Sequence, residues 1–125
     1  MSDRVTTFVR EREERNAQVL ASADLVVKRF FHLDARAYQD GALPRETKEL
    51  LGLVASLVLR CDDCVSYHLL ELAKLRVPRE QVQEALGVGL VVGGSIVIPH
   101  LRRAVAFLEE AAPAAPEDPE PREGP

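Results

Sequence analysis

The chain contains no tryptophan, and only two tyrosines and four phenylalanines occur among its 125 residues. A hydrophobic core must therefore be built mainly from leucine, valine, isoleucine and alanine, within a hydrophobic fraction of 46%. That fraction is ordinary for a globular protein, so we expect one folded domain. A domain of this size buries a marginal core, which association with other copies would enlarge.

The sequence also has no excess of positive charge. Its formal net charge is -4, and residues 113–125 contain four carboxylates and only one arginine. A near-neutral body has no basic face for phosphates, so we expect no nucleic-acid partner and no electrostatic attachment to a membrane. The longest uncharged run, residues 85–99, is too short to span a bilayer, and the charged N-terminus has no apolar stretch typical of a secretion signal. These features predict a cytoplasmic protein.

Strand signals are scarce, whereas apolar residues recur with helical spacing between turns marked by glycine or proline. We predict an all-α fold, a compact domain of about six helices at residues 4–22, 23–39, 44–60, 62–75, 78–92 and 99–111. Residues 1–39 form an N-terminal helical region, residues 40–111 form the core, and the acidic, proline-rich residues 112–125 are expected to be disordered. The third predicted helix is apolar nearly all round, which predicts burial on most sides. The third and fifth predicted helices together present more apolar surface than one small domain can readily cover, which favours homo-oligomerisation.

The only two cysteines, Cys61 and Cys64, lie three positions apart. A disulfide between them would close a tiny loop and constrain the unfolded chain little, so a structural role is not expected. In a chain without a secretion signal, such a pair is typical of redox or metal chemistry. On the fourth predicted helix both thiols share one stripe, about 100° wide, with His68 and with Val65 and Leu72, which predicts that the stripe faces the core.

His68 follows Cys64 by four residues and is therefore positioned to act as a base for that thiol. A thiol near a helix N-terminus is favoured as a thiolate by the helix dipole, whereas Asp62 and Asp63 should raise the pKa of a nearby thiol. A low-pKa thiol with a second thiol beside it can attack a peroxide or a disulfide and then close to a Cys61–Cys64 disulfide.

Two other interpretations of the cysteine pair remain open. The cysteines could be inert packing residues, or Cys61, Cys64 and His68 could bind zinc with Glu49 or Asp63 as the fourth ligand. Elsewhere, the glycines at 87, 89, 93 and 94 indicate close helix packing, because no Lys-Ser/Thr pair follows them as in a phosphate loop. We interpret residues 10–15 as a solvated charged face, His32 as structural, and His100 as a helix-start residue that could rim a pocket.

Glu49, followed after eleven residues by Cys61-x-x-Cys64-x-x-x-His68, resembles the motif of the alkyl hydroperoxidase D-like proteins of the carboxymuconolactone decarboxylase superfamily. The resemblance covers about residues 40–110, since Gly93-Gly94-Ser95 and the helix that follows Pro99 are also similar in placement. It implies an all-helical fold, assembly as trimers or hexamers, and peroxidase or disulfide-reductase chemistry. The implied substrate is a small hydroperoxide, and the implied partner is a dithiol reductant or a redox protein.

Carried over by position, the resemblance implies that Cys64 is the peroxidatic thiol and that Cys61 is the resolving thiol, which also meets the reductant. His68 and Glu49 would relay protons, and we expect no cofactor and no bound metal. Two other functions stay open: a non-enzymatic helical oligomer that uses the dithiol for redox sensing or partner binding, and a carboxymuconolactone decarboxylase-like enzyme.

Glu49 is an isolated charge at the start of the most apolar predicted helix. A carboxylate is costly to bury without a partner, and a histidine that accepts a proton needs a group to orient it. We therefore predict a contact between Glu49 and His68. The alternative is that Glu49 faces solvent and pairs with Arg45 or Lys48.

Overall fold

The computed structural model describes residues 3–111, so the tail expected to be disordered lies outside the described residues. Within this range the chain forms six α-helices: α1 (Asp3–Ser22), α2 (Leu25–Ala37), α3 (Arg45–Val58), α4 (Asp62–Lys74), α5 (Arg79–Gly93) and α6 (Ile98–Ala111). Residues 3–111 contain no strand, and the predicted all-α fold of about six helices is confirmed. A short 3-10 helix (Ser95–Val97), which the sequence did not predict, connects α5 to α6. None of the helices described combines the length and the apolar character needed to cross a membrane.

Local residue chemistry explains where several helices begin and end. Asp24 caps α2, because its side chain accepts a hydrogen bond from the Val27 amide at 3.1 Å. Pro44 and Pro78 immediately precede α3 and α5, where the missing N–H would have no helical partner. Gly94 ends α5 with a φ of 81°, in the left-handed region that favours glycine.

Helix α3 packs against both α4 and α5, and α4 packs in turn against α6. The core between these helices is aliphatic except for Phe107, and its fully buried members include Leu53, Leu57 and Leu69. Burying each such leucine contributes about 1.5–3 kcal/mol. Gly89 permits the close approach of α5 to α3, since a Cβ there would come within 2.9 Å of a Leu57 methyl. The interpretation of close helix packing is therefore confirmed at this glycine.

The prediction that the apolar third helix is buried on most sides holds in part for the single chain, where Glu49, Leu53, Ser56 and Leu57 of α3 are buried. Leu51 of α3 and Leu59, which caps the end of the helix, are 56% and 77% exposed, because α4 and α5 cover only part of the circumference of α3. Helix α2 buries none of its residues, and Val26 and Phe30 are among its exposed apolar side chains. Helix α1, in contrast, is attached to α6 by an edge-to-face contact between aromatic rings.

Candidate active site

Helices α3 and α4 bring Glu49 and His68 together inside the protein. His68 Nδ1 donates a hydrogen bond to Glu49 Oε2 at 2.7 Å, and the two residues are 6% and 0% exposed. The predicted contact is present, and the alternative of a solvent-facing Glu49 is wrong. Arg45 Nε lies 3.9 Å from the other Glu49 oxygen, so the carboxylate retains a second, longer ion pair. Charge-assisted hydrogen bonds in a buried setting fix geometry strongly, and the imidazole is therefore held in one orientation.

The imidazole of His68 also contacts both tyrosines of the chain. Since Nδ1 carries the proton that Glu49 accepts, Nε2 of the neutral ring is an acceptor, and the Tyr38 hydroxyl lies 3.5 Å from it. The Tyr67 ring meets His68 edge-on at a centroid distance of 5.3 Å. Tyr38 and Tyr67 were not predicted as site residues. Their scarcity is the one signal that could have drawn attention to them.

Gly52 leaves the space in which this cluster forms. A Cβ at position 52 would lie 2.6 Å from His68 Cε1 and 2.8 Å from the Tyr38 hydroxyl oxygen. Both distances are shorter than carbon contacts allow, so any larger residue would displace the ring or the hydroxyl. The glycine in the middle of α3 is therefore part of the site architecture, although helix interiors ordinarily disfavour it.

The two thiols lie together at the start of α4. Cys61 is the N-cap residue, with φ of -99° and ψ of 96°, and its sulfur accepts a hydrogen bond from the Cys64 amide at 3.3 Å. The Cys61 and Cys64 sulfur atoms are 2.7 Å apart, and both cysteines are free. The two sulfur atoms are therefore close together, as the three-residue spacing of Cys61 and Cys64 predicts. Whether the pair cycles between dithiol and disulfide stays a prediction.

The prediction that Cys64 faces the core is wrong. Cys64 is exposed, and no hydrogen bond joins it to His68 in the described part of the chain. Two physical reasons account for this. Cys61 caps the helix instead of belonging to it, so that Cys64 turns toward the capping thiol, and the two nitrogens of His68 are already occupied by Glu49 and Tyr38.

The electrostatic setting of Cys64 also differs from the expected low-pKa thiol. The pKa of Cys64 is raised to about 11, first by partial burial and then by the neighbouring Cys61 and Asp63, against a lowering effect of Arg12. The effect of Asp63 has the predicted sign. Arg12 belongs to a charge run interpreted as solvated, but its guanidinium carbon lies 4.0 Å above the centre of the Tyr67 ring.

Asp62, the other acidic residue of the motif, turns away from the thiols. Its two carboxylate oxygens contact His100 Nδ1 and Arg103 Nε, each at 2.8 Å. A cleft of about 360 Å³ opens next to this cluster. The residues that line it are Arg4, Phe8, Asp62, Ser66, Arg102, Arg103, Ala106 and Phe107. Residues 3–111 hold no group of three or more His, Cys, Asp or Glu side chains arranged to bind a metal ion.

These features define a class of protein: an all-helical dithiol protein with a buried histidine–glutamate pair one turn below the second cysteine. The family within that class follows from the comparison of the chain with known families. The model of the carboxymuconolactone decarboxylase family matches residues 24–110, and the chain belongs to that family.

Solved structures of the same family share the fold. A carboxymuconolactone decarboxylase family protein from Thermotoga maritima, suggested to be involved in the antioxidative response, is 57% identical to the chain and superposes with a TM-score of 0.80. That alignment covers 83% of this chain and 88% of the Thermotoga chain. An apo family protein from Legionella pneumophila is 27% identical, with a TM-score of 0.81 over 89% of this chain and 99% of its own.

Sequence relatives are less informative about function. An uncharacterised protein of Cupriavidus necator is 34% identical over 73 residues, which span 58% of this chain and 65% of the relative. The uncharacterised protein 4 in the cox locus of Paracoccus denitrificans is 28% identical over 81 residues, or 65% of this chain and 73% of the relative.

Proposed function

We propose that the protein is a thiol-dependent peroxidase and disulfide reductase in which Cys61 and Cys64 form the redox pair and His68 with Glu49 relays protons. One observation carries this proposal: two free thiols lie 2.7 Å apart at a helix N-terminus, one turn away from a buried imidazole–carboxylate pair. A nucleophile, a base and a group that orients the base are the parts that thiol catalysis requires.

The reaction with a hydroperoxide ROOH balances on these residues. Cys64 loses its proton, and the thiolate attacks one peroxide oxygen; the S–O bond forms, the O–O bond breaks, and the alkoxide leaves as ROH after taking a proton. The sulfur of Cys61 then attacks the sulfenic acid, so that the S–S bond forms and water leaves with the Cys61 proton. A dithiol reductant or a redox protein returns two electrons and two protons to the disulfide.

The relatives and the surface of the chain support further parts of the proposal. The Thermotoga family protein suggested to take part in the antioxidative response fits peroxide chemistry. A disulfide that must be reduced in each cycle suits the reducing cytoplasm. We also propose a homo-oligomer, a trimer or hexamer, because the single chain leaves Val91, Val92 and Leu59 exposed by 85%, 68% and 77%.

A thiol titration with and without a small organic hydroperoxide tests the proposal. We expect the hydroperoxide to remove two thiols per chain, with loss of two hydrogens in one peptide by mass spectrometry, and a dithiol to restore them. Cys64→Ser should abolish turnover. Full peroxidase activity in Cys64→Ser would show that the roles of the two thiols are assigned wrongly.

A second candidate, a non-enzymatic redox sensor, is favoured by one observation. Because the pKa of Cys64 is raised to about 11, little thiolate is present near neutral pH, and oxidation would be slow. A sensor would lose its thiols to hydroperoxide stoichiometrically, without sustained consumption of peroxide when a dithiol is supplied. Sustained consumption at many equivalents per chain favours the enzyme.

A further inference from the structure

The proposed reaction lacks one physical link between Cys64 and its base. The thiol hydrogen-bonds to Cys61, while the proton-accepting nitrogen of His68 is turned to the Tyr38 hydroxyl at 3.5 Å. Among residues 3–111, the Tyr38 hydroxyl is the group that hydrogen-bonds to this nitrogen. Tyr38 lies at the C-terminal end of α2, in the region before residue 40 that the cysteine motif does not include.

We infer that Tyr38 is the proton-transfer residue between Cys64 and His68, an inference that rests on the proposed peroxidase function. A hydroxyl suits this position because it accepts one proton while it donates another. The path requires the exposed Cys64 side chain to turn from Cys61 toward the Tyr38 hydroxyl. The S–H proton then passes to that oxygen as the tyrosine proton passes to His68 Nε2.

The same path works in reverse when the peroxide bond breaks. The thiolate attacks the peroxide, the O–O electron pair goes to the leaving alkoxide, and the proton held on His68 returns through Tyr38 to give ROH. Glu49 stabilises the imidazolium between these two steps, since its carboxylate faces Nδ1 at 2.7 Å. Proton transfer of this kind contributes roughly 10²–10⁴-fold to a rate.

The surroundings of Tyr38 agree with a position between the thiol and the buried pair. Partial burial raises the pKa of Tyr38, and the charges of Glu49, Asp34 and Cys64 each raise it further. The tyrosine hydroxyl therefore lies within electrostatic range of both ends of the path. It also stays protonated at neutral pH, as a residue that passes on a proton must.

Charged groups from the other helices border the path without occupying it. Arg12 of α1 lies over the Tyr67 ring, and Asp63 acts on Cys64 from the first turn of α4. The guanidinium group of Arg45 in α3 forms ion pairs with two carboxylates: its Nε lies 3.9 Å from Glu49 Oε1, and its Nη2 lies 3.2 Å from Glu71 Oε2. Among these neighbours, Tyr38 is the one whose polar atom meets His68 Nε2.

Two reactions of the full-length protein separate proton transfer from structural support. An alkoxide needs a proton when it leaves, whereas the iodide released during alkylation by iodoacetamide does not. Tyr38→Phe should therefore slow the loss of Cys64 thiol to tert-butyl hydroperoxide by about tenfold or more, and should slow alkylation at the same pH much less, because alkylation uses only the transfer away from Cys64 and not the return of the proton to the alkoxide. Mass spectrometry of the tryptic peptide 61–74 follows both reactions, since fragmentation distinguishes its two cysteines.

Tyr67→Phe is the matched control, because Tyr67 contacts the same imidazole with its ring edge and not with its hydroxyl. It should react like the wild type in both assays. In a His68→Gln background, Tyr38→Phe should cause no further loss, since the path then has no end point. Far-UV circular dichroism confirms that each variant is folded.

Three results would overturn the inference: equal hydroperoxide rates for Tyr38→Phe and the wild type, a parallel fall of both reactions in Tyr38→Phe, or an equal loss in Tyr67→Phe. A wild-type protein whose thiols alkylate normally but do not react with hydroperoxide rejects the proposed function itself, and the inference with it. If only the inference about Tyr38 is wrong, the wild-type protein still consumes peroxide.

Discussion

Replacement of Gly52 by alanine should damage both stability and activity, although alanine is the better helix former. The new Cβ would lie 2.6 Å from His68 Cε1, whereas ordinary contacts begin at 3.4 Å, so the ring must retreat by about 0.8 Å. A movement of that size along the Nδ1–Oε2 direction stretches the 2.7 Å hydrogen bond to about 3.5 Å, beyond an effective length.

The magnitude follows from three contributions. Overpacking costs about 1–3 kcal/mol, and the weakened hydrogen bond to a buried charge costs about 1.5–3 kcal/mol. The helix propensity of alanine offsets about 1 kcal/mol. We expect a net loss of about 3 kcal/mol in the free energy of unfolding, or a Tm lower by about 10 °C or more for a domain of this size. Urea unfolding and calorimetry measure these quantities.

Gly87→Ala is the matched control in the same fold. A Cβ at position 87 of α5 would meet nothing within 4 Å, so this variant should gain up to about 1 kcal/mol from helix propensity alone. The two substitutions are thus expected to have opposite signs. If Gly52→Ala proves as stable as the wild type and reacts with hydroperoxide at the wild-type rate, the tight cluster around His68 is not the arrangement in solution.

Three further outcomes are expected. Glu49→Gln keeps the shape of the side chain but removes its charge. This variant should lose its thiols to hydroperoxide about fivefold more slowly near neutral pH, which corresponds to about 1 kcal/mol in one hydrogen bond. If the pH–rate profiles of the variant and the wild type superimpose, Glu49 is not part of the site. The pKa of Cys64 in the folded protein is raised from 9.0 to about 11, so alkylation of Cys64 should accelerate with pH until about pH 11. Because the unfolded chain loses this proton at a lower pH than the folded protein, the stability that the raised pKa contributes should be retained below pH 9 and fall as the pH rises toward 11. A plateau near pH 7 would contradict the raised pKa of that thiol. Light scattering at micromolar concentration should show an oligomer, and a monomer of 13.8 kDa would contradict the proposed association.

The sequence by itself was sufficient for the six α-helices and for one long-range contact. Helical periodicity together with Gly41, Pro44, Pro78 and Gly94 placed the helices of the structure to within a few residues. The contact between Glu49 and His68 was predictable because a charge next to apolar residues needs a buried partner, and His68 lay on an apolar stripe and needed a group to orient it.

Only the tertiary structure decided the remaining geometry of the site. Periodicity gives the direction of a side chain around its own helix, but not which helix covers that direction or leaves it open. Cys64 therefore pointed inward by its angle, yet it lies exposed in the first turn of α4. Tyr38 is 30 residues from His68 in the chain, and no local pattern connects them. Their contact exists because α3 carries a glycine at position 52, whose missing side chain lets the imidazole and the hydroxyl approach the same point on the helix.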